Sequence, residues 1–97
     1  MIFKHVIGGV IMDEETLKLF AFIKVAPFRL KVLKTLENES KTPTQISKDV
    51  GTRVFYVSTI LKDLKDKGLA ECINEDKRKF RFYQLTDKGY ELLEYLK

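Results

Sequence analysis

Along most of this chain the apolar residues recur at helical spacing, and near its end the period shortens to that of a strand. Leu17, Phe20, Ala21 and Lys24 fall on one helical course, and Leu19 and Ile23 widen its apolar surface. Asp13 precedes them as a candidate N-cap, with Glu14 and Glu15 where the helix dipole favours acids. The spacing predicts a helix over 13–25. Pro27 then restarts the chain at a position suited to a first helical turn, and Leu30, Val32, Leu33 and Leu36 form the next apolar face, ending near Asn38. Glu39-Ser40-Lys41 reads as a polar loop. Thr42-Pro43-Thr44-Gln45 is a compact start signal: a capping threonine, a proline at the first helical position and a glutamine that completes a capping box. Ile46 and Val50 face inward, and Gly51 ends this short helix as a left-handed residue would. A further helix runs from about Arg53 to Lys67, with Val54, Val57, Leu61 and Leu64 as its buried stripe and Gly68 as its stop.

Beyond Gly68 the pattern alternates. Leu69 to Asn74 reads as a strand, Glu75 to Lys79 as a charged turn, and Phe80 to Leu85 as a second, aromatic strand. Thr86 caps a last helix carrying Tyr90, Leu93 and Leu96. The fold class expected is mainly α with a small β-hairpin (α+β), in the order helix, helix, helix-turn-helix, hairpin, helix. The domain spans 13–97. Residues 1–12 stand apart as an N-terminal extension, with Gly8-Gly9 between two β-branched pairs. They fit a hairpin with a Gly-Gly turn. They also fit a translated leader, because Gly-Gly-Val-Ile-Met can be encoded by a purine-rich ribosome-binding sequence and a start codon. Met12 would then be the natural first residue. The leader is preferred of the two, and the codons for Gly8-Gly9 decide it.

A length of 97 residues suits one domain with one modest core. The chain is 44% hydrophobic and 33% charged, which is the balance of a folded rather than a disordered protein. Eighteen Lys and Arg against 14 Asp and Glu give a net charge of +4 and a pI near 9.2. That excess is compatible with nucleic acid and equally with a lysine-rich surface. Cys72 is the single cysteine and His5 the single histidine, so neither a disulfide framework nor a typical closed zinc site is expected within the chain. No apolar run reaches membrane-spanning length, and the first residues lack the cleavage site of a secretory signal. A reducing, cytoplasmic setting is expected, with no cofactor and no metal. Scattered carboxylates, no phosphate-binding glycine loop and no Cys/His pairing argue against an enzyme.

The chemistry sits in the two helices joined by Val50-Gly51-Thr52, which form a helix-turn-helix unit. Stepping 100° per residue from Val57 puts Phe55, Thr59, Lys62 and Asp66 on the outward face of the second helix, flanked by Tyr56, Ser58 and Asp63. A helix so placed offers its N-terminal half to base edges in the major groove. Phe55 has two readings: contact with thymine methyls or sugars, or packing against the hairpin or the N-terminal segment. Arg53 at the helix start can reach phosphate or guanine, and Lys62 phosphate. The hairpin turn adds Lys77, Arg78 and Lys79, with Arg81 two residues on. A basic loop beside a helix-turn-helix is what a wing needs to grip phosphates or enter the minor groove. Glu75 and Asp76 dilute that charge.

The run from Thr42 through Ser47, the segment Val57-Ser58-Thr59-Ile60-Leu61-Lys62-Asp63-Leu64-Lys65-Asp66-Lys67-Gly68-Leu69 and the close Tyr83-Gln84-Leu85-Thr86-Asp87-Lys88-Gly89 together resemble winged helix-turn-helix regulators of the MarR and ArsR superfamily, especially small archaeal ones. The resemblance covers about 27–97. It implies a homodimer on a palindromic double-stranded DNA operator, usually repressing transcription. It also implies that Arg53, Phe55, Tyr56, Ser58, Thr59 and Lys62 occupy recognition-helix positions. Where many relatives begin this helix with serine, this chain has Arg53, so Thr52 is the expected cap. The metal-sensing cysteine pair of some ArsR members is absent, and the helical extension that forms the MarR ligand pocket has no room here. Neither kind of sensing is carried over.

Two helices have more apolar surface than one small core requires. Leu17, Phe20 and Phe22 on the first, with Leu92, Tyr95 and Leu96 on the last, are the expected dimer interface. A protein-interaction winged helix that never touches DNA is the competing reading, since a fold does not determine its function.

Overall fold

The computed structural model describes residues 4–7 and 10–97. Its elements are β1 (Lys4–Ile7), β2 (Val10–Asp13), α1 (Glu14–Lys24), α2 (Pro27–Thr35), α3 (Pro43–Val50), α4 (Val54–Asp66), β3 (Ala70–Cys72), β4 (Tyr83–Leu85) and α5 (Asp87–Leu96). From α1 onward this is the expected order of four helices, a hairpin and a last helix. An antiparallel pair precedes it, in which Lys4 faces Asp13 and Ile7 faces Val10. The proposed Gly8-Gly9 turn itself lies outside the described residues.

Local signals account for most element ends. Asp13 accepts a hydrogen bond from the Thr16 amide at 2.7 Å and so starts α1. Pro27 sits in the first turn of α2. Thr42 and Gln45 form the reciprocal capping box, with bonds of 3.2 and 2.9 Å. Gly51 closes α3 in the left-handed region at φ 75°, a conformation that costs a residue with a Cβ about 1–2 kcal/mol. Thr86 starts α5 by accepting from the Gly89 amide at 3.1 Å, while its hydroxyl donates to the Gly68 carbonyl at 2.6 Å.

One core joins all five helices to the base of the second hairpin. Ile23, Val32, Leu33, Leu36, Ile46, Val57, Leu64 and Leu69 are fully buried, and Leu61, Leu92 and Leu93 nearly so. Each such side chain contributes roughly 1.5–3 kcal/mol when withdrawn from water. α2 is central, packing on α1, α3, α4 and α5.

Four expectations are corrected. Val54 is 41% exposed, and Ile60, at 2%, takes its place in the buried stripe of α4. Val54 belongs to the first turn, which overhangs the core's edge and borders a groove instead. Leu92 and Leu96, expected at a partner surface, are 1% and 7% exposed within the single chain, because α5 turns that face onto α1 and α2. The strands of the second hairpin span three residues each, not six, because the chain leaves regular pairing beyond Cys72 and before Tyr83. Finally, Thr52 does not cap α4. Arg53 holds the N-cap position without a side-chain hydrogen bond, as expected of a guanidinium, which has no acceptor.

Candidate functional site

The arrangement of the site begins with α3. Lys41 Nζ lies 2.6 Å from Asp49 Oδ2 and donates to Thr35 Oγ1 at 2.9 Å, and Thr35 donates to the same carboxylate at 2.9 Å. These three residues join the end of α2, the loop and the end of α3. The bonds from Lys41, then Thr35, hold the Asp49 carboxyl below the usual carboxylate range. After Gly51 the chain turns at once into α4, with the Gly51 and Thr52 amides both donating to the Ser47 carbonyl, at 2.9 and 3.1 Å.

α4 is two-faced. Val57, Ile60, Leu61 and Leu64 are buried, while Phe55, Tyr56, Ser58, Thr59 and Lys62 are exposed. Phe55 is 84% exposed, so among the described residues nothing covers its ring. Of its two readings, packing within the chain is not what the structure shows. Tyr56 stands edge-on to Phe28 with ring centroids 5.6 Å apart, which steadies it against α2. The Thr59 hydroxyl donates to the Phe55 carbonyl at 3.2 Å and keeps its lone pairs for an incoming donor. Thr52 and Arg53 lie at the helix start, around a shallow hollow shared with Ser47 and Lys48.

The second hairpin is tied down at both ends. At its base, Lys41 and Tyr83 exchange backbone hydrogen bonds of 2.9 and 2.8 Å, attaching β4 to the residue before the cap of α3. Further out, the Ile73 amide donates to the Phe82 carbonyl at 2.9 Å. The Asn74 side chain then bridges the two arms: it accepts from the Phe82 amide at 2.8 Å and donates to the Phe80 carbonyl at 3.0 Å. Arg81 donates to the carbonyls of Lys77 and Glu75. Glu75 pairs with Lys65 of α4, and that bond lowers the Glu75 carboxyl and raises the Lys65 ammonium relative to their ordinary values. Lys77, Arg78 and Lys79 remain exposed at the tip.

Arg81, expected to contact DNA beside these three, is exposed like them, and part of its guanidinium donates to the loop's own carbonyls and shapes the tip. Asn74, Lys41 and Asp49 escaped the sequence reading. Asn74 carried a usable signal, since asparagine at the start of a turn commonly bonds backbone a few residues on. Lys41 and Asp49 carried none, because their pairing depends on how α2 and α3 pack.

Hairpin and helices enclose a groove of about 770 Å³ bordered by Pro43, Thr44, Val54, Ser58, Arg78 and Lys79. The fold thus brings Ser58, Arg78, Lys79 and Arg81 around one depression. Phe55, Tyr56, Thr59, Lys62 and Lys77 do not line it.

A family model for the winged helix-turn-helix matches residues 29–97, well over half of the chain. The chain belongs to this family. Its helix-turn-helix is α3 and α4, and its wing is the β3–β4 hairpin. No curated protein matches it. The winged helix-turn-helix chain is similar in fold to a MarR family transcriptional regulator from Silicibacter pomeroyi, with TM-score 0.67, 24% identity, and coverage of 84% of this chain and 58% of that one. It is similar also to a homodimeric winged helix-turn-helix DNA-binding domain from Mycobacterium bovis, described as a possible ArsR-family regulator. There the TM-score is 0.69 and the identity 18%, with 84% of this chain and 75% of that one covered. Streptococcus pneumoniae FabT in complex with DNA gives 0.61 and 24% over 70% of this chain and 49% of that one. The chain therefore spans about half the length of several regulators it resembles. Among the described residues, no helix is long and apolar enough to cross a membrane.

Proposed function

We propose that this protein is a DNA-binding transcription regulator acting as a dimeric repressor, with α4 in the major groove and the 75–79 wing on the backbone or in the minor groove. The carrying observation is the outward face of α4. Phe55, Ser58, Thr59 and Lys62 are exposed on a helix whose opposite face is wholly core. Helix and wing flank a groove with cations on the wing side, as a sugar–phosphate strand passing between major and minor grooves requires. Similar folds come from regulators, one in complex with DNA and one homodimeric.

A two-fold dimer would use what α1 and α5 leave uncovered: Leu17, Phe20, Phe22 and Tyr95, each half-buried. Leu92 and Leu96 have no part in it. The Arg29 guanidinium lies 3.9 Å from the Phe22 ring centre, so Phe22 offers only its remaining edge. Recognition helices roughly 34 Å apart would match half-sites one turn of DNA apart. A monomer by light scattering at micromolar concentration would reject the dimer.

The competing reading, a protein-interaction module, draws on the same Phe55, whose exposed ring would suit an apolar partner. Selection of bound genomic fragments, followed by binding at several salt concentrations, separates the two. DNA binding requires affinity that falls steeply with salt. Charge reversal at Lys77, Arg78 and Lys79 then weakens all sequences alike, while substitution of Phe55 or Thr59 changes which sequences are preferred. Salt-insensitive or absent binding to every duplex refutes the regulator.

A further inference from the structure

The wing presents an aromatic ring that neither packing nor backbone preference explains. Phe80 is 77% exposed, so burial contributes little to keeping it. Its backbone is left-handed at φ 57°, a conformation that glycine and asparagine adopt with less strain than phenylalanine. Side chains hold it there: Asn74 donates to its carbonyl at 3.0 Å and accepts from the next-but-one amide, while Arg81 draws in the carbonyls of Glu75 and Lys77. The loop is thus clasped around a bulky residue in a strained position, and the ring borders the groove between wing and α4. Backbone strain of this kind persists only where surrounding contacts over-determine it, and such residues cluster at functional sites. The adjoining residues are Arg78 and Lys79, both exposed cations, so the occupant that complements this edge carries phosphates.

We propose that Phe80 is a wedge that enters the minor groove and partly unstacks one base step, so that the protein bends its DNA and selects a flexible pyrimidine–purine step beneath the wing. This rests on the DNA-binding reading above and adds a specificity determinant to it. Apolar wedges flanked by cations kink duplexes by opening the minor groove, and TA or CA steps yield most readily. Arg78 and Lys79 anchor the strands on either side of the step. Asn74 and Arg81 are positioning residues that act through the loop.

The test compares the wild type with F80A, F80L and K79A on a duplex recovered by fragment selection. DNA bending is measured by energy transfer between end labels, and unstacking by 2-aminopurine fluorescence at each step under the wing. The wild type and F80L should bend the duplex by roughly 20–90° and brighten one step. F80A should remove both signals and abolish an approximately tenfold preference for TA over an AA step there. K79A should weaken every duplex alike and leave the bend intact. If F80A bends and brightens DNA as the wild type does, the wedge is refuted while DNA binding stands. If F80A weakens binding without altering the bend, the ring only touches sugar and the wedge is again refuted. If the wild type binds no duplex, both readings fall together.

Discussion

Gly89 tests how closely the wing's base is packed against α5. A Cβ built at this residue would come within 2.2 Å of the Leu69 carbonyl oxygen and 3.3 Å of Leu85 Cβ. The obstacle is backbone, and that backbone is occupied: the Leu69 carbonyl accepts the Thr86 amide at 3.1 Å. The α5 start and the strand after α4 therefore have to separate by about 1 Å in Gly89→Ala, which falls in the class of overpacking changes costing roughly 1–3 kcal/mol. A rigid main-chain contact belongs at the upper end, about 3 kcal/mol. Alanine returns about 1 kcal/mol as the better helix former. The expected net loss is about 2 kcal/mol, and at ~4–8 °C per kcal/mol for a domain this size Tm should fall by about 8–16 °C. Gly51→Ala is the control, because it has φ 75° but nothing within 4 Å of the new Cβ, so its loss should be only ~1–2 kcal/mol. Thermal and urea unfolding followed by far-UV circular dichroism measures both. A G89A protein as stable as the wild type would refute the close approach, and with it the account of why glycine follows Thr86 by three residues.

Three further outcomes are expected. Leu92→Ala should destabilise the chain by about 2–5 kcal/mol in urea unfolding, because its side chain is core, with no dependence of that loss on protein concentration. A loss that grows on dilution would instead return Leu92 to a partner surface. Thr42→Ala should cost about 1 kcal/mol through loss of the capping box, and Thr42→Ser should recover it; equal stability of the two variants would show that the cap contributes nothing. For Asp49 the sign follows from its lowered folded-state value: the stabilisation is fully present above the ordinary carboxylate range and is lost as pH falls through that lower value. The stability difference between the wild type and D49N should hold steady above about pH 4 and close below it. A difference that widened in acid would contradict the bonding around Asp49.

The helices of this domain announce themselves locally. Asp13, Thr42 and Thr86 each supply a cap, and Gly51 and Gly68 each permit the left-handed exit. Those signals operate within four residues, so a linear reading reaches them. The outward face of α4 was legible for a similar reason: once Val57 is placed inside, the helical angle sends Phe55 and Thr59 outside. Val54 departed from this stripe because it is the position of the core's edge, not the helical period, that decides whether a first turn is covered.

What the chain's order could not decide are the matters settled by contacts between distant residues. Leu92, Leu96 and Tyr95 look equally apolar along α5, yet only the packing of that helix on α1 and α2 determines that the leucines go inward. The joint of Lys41, Thr35 and Asp49, the backbone exchange between Lys41 and Tyr83, and the clasp of Asn74 and Arg81 around Phe80 likewise exist only once the chain has closed on itself. A basic turn was readable as a wing. That its arginine at 81 shapes the loop, and that a phenylalanine stands strained and exposed beside it, required the tertiary structure, because hydrogen-bond partners are chosen by geometry in space and not by neighbourhood in sequence.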